Sequence, residues 1–252
     1  MQQAQKIEPS PAISHLKSQM DWSVQPVETD NFLYSVTHDM KGNLRALAEL
    51  PTWIEEDLLY HKIDIPDDVK EHLTMMHCNA RQLSNLLEGF VSLSRVGRTP
   101  DDPDRTTVQE VARAAWDALK PDANFRLDTH EALDTVYLPK AATATLFKAV
   151  LENVLHHHDN TKGFARVVSE TKGEHVLITI EDDGPGIPVE ARDTVFEALT
   201  RLRRREETGL AGLGLTLARR IVTKMGGSIS VTLASNGRGT AVTIELPVRM
   251  RW

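Results

Sequence analysis

The stretch VKEHLTMMHCNARQLSNLLEGFVSLS, residues 69–94, places Val69, Leu73, Met76, Ala80, Leu83, Leu87, Phe90 and Ser94 at alternating steps of four and three. A seven-residue period averages about 3.5 residues per turn, so its seam stays on one side only if the helix winds around a partner. Upstream, apolar residues at 33, 36, 40, 44, 47, 51, 54 and 58 step the same way, which predicts a helix from Asn31 to about Tyr60. His61-Lys62-Ile63-Asp64-Ile65-Pro66 breaks the pattern, and Asp67 or Asp68 is the expected cap of the second helix. Two antiparallel helices alone leave much of such a stripe exposed. Pairing with a second copy into a four-helix bundle is the economical solution, so a homodimer is expected. Pro51 lies on the first seam, where its missing N–H predicts a kink.

Within YSVTHDMKGNLR, residues 34–45, His38 and Asp39 fall off that seam. At about 100° per residue His38 sits roughly 200° from both Val36 and Met40, so its imidazole is expected to point outward. A lone exposed histidine is ordinary, and its meaning depends on the rest of the chain. With 252 residues, 40% hydrophobic and 26% charged, the composition is that of a soluble globular protein with one or two domains. No apolar run approaches the ~20 residues of a membrane span, and residues 1–30 lack a secretory apolar core, so a cytoplasmic protein is expected. The single cysteine, Cys78, excludes an intrachain disulfide. A net charge of −7 argues against a general nucleic-acid binder, although Arg201, Arg203, Arg204 and Arg205 concentrate basic charge locally.

Three segments are expected: a tail or linker over 1–28, the helical hairpin over 29–99, and a second domain over 100–252 that begins after the Pro/Asp-rich stretch around Pro100-Asp101-Asp102-Pro103. In that domain helices are predicted over Thr107–Leu119, Pro139–His157 and about Gly212–Met225. Strands are predicted over Asn124–Asp128, Thr135–Leu138, Phe164–Thr171, His175–Glu181, Ser228–Ala234 and Thr240–Leu246. Helices over a mostly antiparallel hairpin sheet make a two-layer α/β sandwich, and the whole chain is α+β.

Two segments carry chemistry. Ile178-Thr179-Ile180-Glu181 runs into Asp182-Asp183-Gly184-Pro185-Gly186, a strand-end carboxylate followed by glycines. A flat ligand such as adenine can approach that backbone and donate an exocyclic amine to the acid. Gly209-Leu210-Ala211-Gly212-Leu213-Gly214-Leu215 is a glycine-rich loop opening a helix, whose free N–H groups suit phosphate. Glu190–Leu210 between them, about 20 residues with Phe196 and the arginines, reads as a lid. Asn153 on the preceding helix can offer an amide oxygen to Mg²⁺. His156, His157 and His158 are consecutive, so they point in different directions and do not close on one metal ion.

From Asn31 to Pro247 the chain resembles the catalytic core of a sensor histidine kinase, with the ATP-binding elements shared by gyrase, the heat-shock chaperone and mismatch-repair ATPases. The His38 stretch is similar to the phosphoacceptor box of kinases related to bacterial phytochromes. Glu152-Asn153 matches the asparagine box, Asp182, Gly184 and Gly186 the first glycine box, Phe196 the phenylalanine box, and Gly212-Leu213-Gly214-Leu215 the second glycine box. Gly239-Thr240 with Leu246-Pro247 resembles the domain's end. The resemblance implies that His38 is phosphorylated, that Asp39 is its adjacent acid, and that ATP is held by Asn153, His157, Asp182, Gly184, Gly186, Gly212, Leu213, Gly214, Leu215 and Thr240, with Mg²⁺ on Asn153. It also implies transfer to a response-regulator aspartate, and leaves room for a separate sensor or input protein. Departures are Gly42 and Asn43, where the family often has Thr or Asn and then Pro, and Ala149 and His156 in the asparagine box. The alternatives are a dimeric histidine phosphotransfer adaptor with little or no ATP use, and an ATP-driven clamp, for which Ala149 stands where a catalytic glutamate would.

Overall fold

The computed structural model describes residues 26–98, 101–129, 135–200 and 212–248, with the backbone alone for 26–39 and Thr135. Helix α1 (Pro26–Tyr60) starts within the segment read as tail and runs unbroken through the buried Pro51. Helix α2 (Asp67–Arg95) returns against it. Neither Asp67 nor Asp68 caps α2. Pro66 holds the cap position without a side-chain bond, while both acids lie in the first turn, where they favour the positive helix end.

The seven-residue seam is divided by this packing. Leu44 and Pro51 on α1, with Leu73, Ala80, Leu87 and Ser94 on α2, are buried within the hairpin. The alternate seam positions stay open, with Leu47 48% and Leu83 44% exposed, and Met40, Ile54 and Met76 similarly so. One partner helix covers only half of a heptad seam, which is why the other half remains available.

The second half contains β1 (Pro103–Thr107), α3 (Val108–Leu119), β2 (Phe125–Thr129), β3 (Thr135–Pro139), α4 (Lys140–His157), β4 (Gly163–Lys172) and β5 (His175–Asp182). Two short 3₁₀ turns, Val189–Ala191 and Thr194–Phe196, precede α5 (Gly214–Lys224), β6 (Ser228–Leu233) and β7 (Thr240–Pro247). The main sheet has the order β2-β4-β5-β7-β6, and β1 pairs with β3 in a separate antiparallel ribbon. The β4/β5 hairpin forms as expected, and its neighbours across β7 are antiparallel. Two features depart from the sequence reading. Strand β1 occupies part of the presumed linker, and β2 pairs in parallel with β4. A parallel pair is set by a long crossover, here through β3 and α4, and no local turn signal records it.

Helix starts follow local chemistry. Thr107 and Glu110 form a reciprocal capping box on α3. Pro139 occupies the cap position of α4, ahead of the helix. Asp101, from the linker, accepts hydrogen bonds from Ala141 N (3.2 Å) and Ala142 N (2.8 Å) and so satisfies that helix's first donors. Helices α3, α4 and α5 cover one face of the sheet with Trp116, Phe147, Leu151, Ala218 and Ile221, packed on Val167, Ile178, Ile180 and Ile244. Leu93 of α2 is buried in this same core, with Leu86, Phe90 and Val96 packed against it. The last turns of α2 therefore belong to both halves. Leu93→Ala is expected to lower the unfolding free energy by about 2–5 kcal/mol in urea denaturation, the cost of a core cavity. A change within a few tenths would show that α2 is not part of that core.

Candidate functional site

A cleft of about 580 Å³ opens where the end of the sheet meets α4, α5 and α2. Alternation along β5 turns Val176, Ile178 and Ile180 into the core, and the same phase carries Asp182 to the helix-facing side at the strand's end. Thr240 follows in register on β7, next after the Glu181–Ala241 pair. Asp182 Oδ1 accepts hydrogen bonds from Gly184 N (2.9 Å) and Thr240 N (3.0 Å). These fix the carboxylate and leave acceptor capacity on its second oxygen. Burial pushes the Asp182 carboxyl up, against the two backbone donors and the Thr240 hydroxyl, which favour the anion. Gly186 (φ +77°) and Gly239 (φ +94°) make this corner possible. A Cβ on Gly186 would lie 2.9 Å from the Gly239 carbonyl oxygen, and one on Gly239 would collide with the Asp182 carbonyl.

The neighbouring carboxylate has a different task. Asp183 Oδ1 accepts from Phe164 N (2.8 Å) and pairs with His158 Nε2 (3.0 Å), while Asn160 N donates to His158 Nδ1 (3.0 Å). This network fits the tautomer with its proton on Nε2. Burial opposes ionisation of Asp183, but these donors outweigh it and hold the carboxyl below the usual range. Arg238, in the β6/β7 turn, donates to the Asp183 carbonyl (2.7 Å) and grips both oxygens of Asp159 (2.8 and 2.7 Å). The clasp ties the end of α4, the end of β5 and the β6/β7 turn around Asp182. Sequence reasoning missed Asp159, Asp183, His158 and Arg238 in this role, because no local spacing links residues so far apart in the chain.

At the other end of the cleft, Gly212 (φ +69°) cannot continue a helix, so α5 begins at Gly214 with Leu213 at its cap. Its free first-turn N–H groups form an anion-facing end. Asn153 lies beside it, since a Cβ on Gly214 would be 3.5 Å from Asn153 Oδ1. Leu199, at φ +64°, donates its N–H to Gly212 O (3.0 Å), which ties the described first half of the Glu190–Leu210 segment to the turn before α5. The lid arginines 201 and 203–205, and Gly209, lie outside the described residues. Phe196 is buried with Arg219 stacked on its ring at 5.5 Å.

All the expected nucleotide-contacting residues, Asn153, His157, Asp182, Gly184, Gly186, Gly212, Leu213, Gly214, Leu215 and Thr240, line this one cleft. So do Arg81, Asn85, Glu88, Gly89 and Ser92 of α2, which sequence reasoning did not assign to it. Thr52 faces His77 across the hairpin. Carried fourteen residues along two antiparallel helices, that level puts the backbone of the His38 turn at the height of the last turns of α2, in the region of Gly89 to Ser92. The side chains of His38 and Asp39, and so their expected exposure, lie outside the described residues. Among the described residues no cluster of three His, Cys, Asp or Glu is placed to hold a metal. The Asn153 amide oxygen fits Mg²⁺, which takes few protein ligands and completes its shell with phosphate and water.

Residues 141–250 match the family model described as Histidine kinase-, DNA gyrase B-, and HSP90-like ATPase. The methanogenesis regulatory histidine kinase FilI of Methanothrix harundinacea is 26% identical over 224 residues, covering 87% of this chain and 25% of that protein. Cyanobacterial phytochrome B of a Nostoc strain is 25% identical over 225 residues, covering 87% of this chain and 29% of that protein. The likeness thus extends to phytochromes without being particular to them, and the chain spans less than a third of either relative. Full-length ShkA, in complex with AMPPNP, shares the fold with a TM-score of 0.61 at 18% identity, over 88% of this chain and 46% of that one. No described helix is long and apolar enough to cross a membrane.

Asp182→Asn would put an amide where the expected adenine amine needs an acceptor. A roughly tenfold to hundredfold weaker binding of an ATP analogue is expected, the scale of one hydrogen bond to a charged group. Because burial raises the Asp182 pKa and the ligand selects the anion, affinity should be full above that pKa and fall as pH drops through it, sooner than for an ordinary aspartate. Titrating affinity against pH checks this, and D182N should lack that limb.

Proposed function

We propose, for a chain whose catalytic core is that of a sensor histidine kinase, that ATP bound in this cleft phosphorylates His38 and that the phosphoryl group then passes to an aspartate of a response-regulator receiver domain. The observation that carries the reading is the shared wall: the phosphate end of the cleft is closed by α2 at the hairpin level of His38. Asp182 and Thr240 would seat the adenine, and the first turn of α5 would receive the phosphates. Mg²⁺ on the Asn153 amide oxygen would supply charge neutralisation there. A ring nitrogen of His38 forms the new bond to the γ-phosphorus as the bond to the bridging oxygen breaks and ADP leaves. Asp39 takes the proton from the other ring nitrogen and stabilises the charge that develops. Gly42, one turn further on, leaves open space, since a Cβ there would meet nothing within 4 Å. That space suits a nucleotide or a receiver domain approaching the His38 face.

The half-open seam supports a homodimer, in which a second hairpin covers Met40, Leu47, Ile54, Met76 and Leu83 to complete a four-helix bundle. An exposed free Cys78 accords with a reducing, cytoplasmic setting. A separate sensor or input protein is a further expected partner.

Incubation with labelled ATP tests the kinase reading. Wild-type protein should acquire acid-labile phosphate, and His38→Gln should lose it while binding nucleotide as before. Labelling that survives in H38Q would sink the assignment, and nucleotide-independent behaviour would favour a phosphotransfer adaptor. For the bundle, Leu47→Glu with Leu83→Glu should halve the mass seen by light scattering while leaving the fold intact. An unchanged mass would remove the seam as the dimer interface.

A further inference from the structure

We propose that Gly89 is a positioning residue for this transfer: its missing side chain lets Leu213 seat directly on α2, and that seat sets the phosphate-facing turn of α5 at the hairpin level of His38. Gly89 stands in the interior of a 29-residue helix, where glycine is the poorest choice after proline and no turn calls for it. A Cβ built on it would lie 2.5 Å from Leu213 Cδ1, 3.2 Å from Leu213 Cβ and 3.4 Å from Leu213 Cγ. Rotating the leucine clears only its far end. The Cβ is fixed to the backbone, so a side chain at position 89 asks the Gly212-Leu213-Gly214 turn itself to give, by a few tenths of an ångström.

That turn is held from behind. Leu213 is 3% exposed, and its carbonyl accepts the Leu217 N–H (2.9 Å) in the first turn of α5. Helix α5 lies along α2, with Leu213 at its start on Gly89 and the Lys224 side chain at its end against Gly97. Leu93, between the two glycines, is buried in the core that also contains Leu217. The seat lies in the same stretch of α2, Gly89 to Ser92, that the Thr52–His77 level sets at the height of the His38 turn. A displacement of the donor turn there is felt at the reacting atoms, because a misplacement of about 1 Å costs up to about a hundredfold in rate.

The assignment rests on the kinase reading, and one experiment separates the two. In the full chain, autophosphorylation at saturating ATP and affinity for an ATP analogue are measured for wild type, Gly89→Ala, Leu213→Gly and the double variant, with helix content checked by circular dichroism. Alanine favours the helix, so G89A should keep its helix content and bind the analogue within about twofold of wild type, while its maximal rate falls about fivefold. In the L213G background, which removes the Leu213 Cβ as well as its far end, the added G89A change should cost nothing further. A wild-type rate for G89A overturns the assignment. So does a loss that is just as large without Leu213, or one that tracks lost nucleotide affinity or helix content. A wild-type chain that binds the analogue and never labels His38 overturns the kinase reading, and the assignment with it.

Discussion

Helix α2 is packed on two sides at once, and the rest of the arrangement depends on that constraint. Leu73, Ala80, Leu87 and Ser94 face the hairpin partner, while Leu93 enters the core of the C-terminal domain and Gly89 receives Leu213. A helix has only 3.6 residues per turn, so two buried faces leave a narrow remainder for solvent. On the C-terminal turns of α2 that remainder is the cleft wall, with Asn85, Glu88 and Ser92 facing the space beside Asn153 and Gly214. The cleft and the helical hairpin are thus parts of one packed unit.

The other end of the cleft is built by opposing electrostatics on adjacent residues. Asp182 is half-buried and desolvation pushes its carboxyl up, whereas Asp183 is held low by the Phe164 N–H and His158. One acid keeps acceptor capacity for a ligand, and the other is consumed in holding the frame. Arg238 completes the frame with Nη2 on both oxygens of Asp159 and Nη1 on the Asp183 carbonyl, a two-nitrogen fork that a lysine does not reproduce.

Much of this was legible in the residues. The heptad steps announced both long helices, the Asp182 to Gly186 stretch announced a strand-end acid with close backbone approach, and the Gly212 to Leu215 stretch announced a helix start. The nature of the misses is physical. The β2/β4 pairing follows from a crossover, and the Arg238 clasp joins residues that only the folded sheet brings together. Asp67 and Asp68 look like caps, but Pro66 already fixes the chain's entry to the helix. Gly89 falls between seam positions of a heptad pattern, where a missing side chain carries no signal until the neighbouring domain is seen against it.

The central claim is that the phosphoryl group leaves the cleft toward His38 and not toward the histidines that line the cleft itself. Incubation with ATP and magnesium, digestion at neutral to alkaline pH, and mass-spectrometric mapping of the phosphorylated peptide tests it most directly. Phosphate on His38 is the expected result. Phosphate on His156, His157 or His158 instead, each of which lines the nucleotide cleft, would contradict the account.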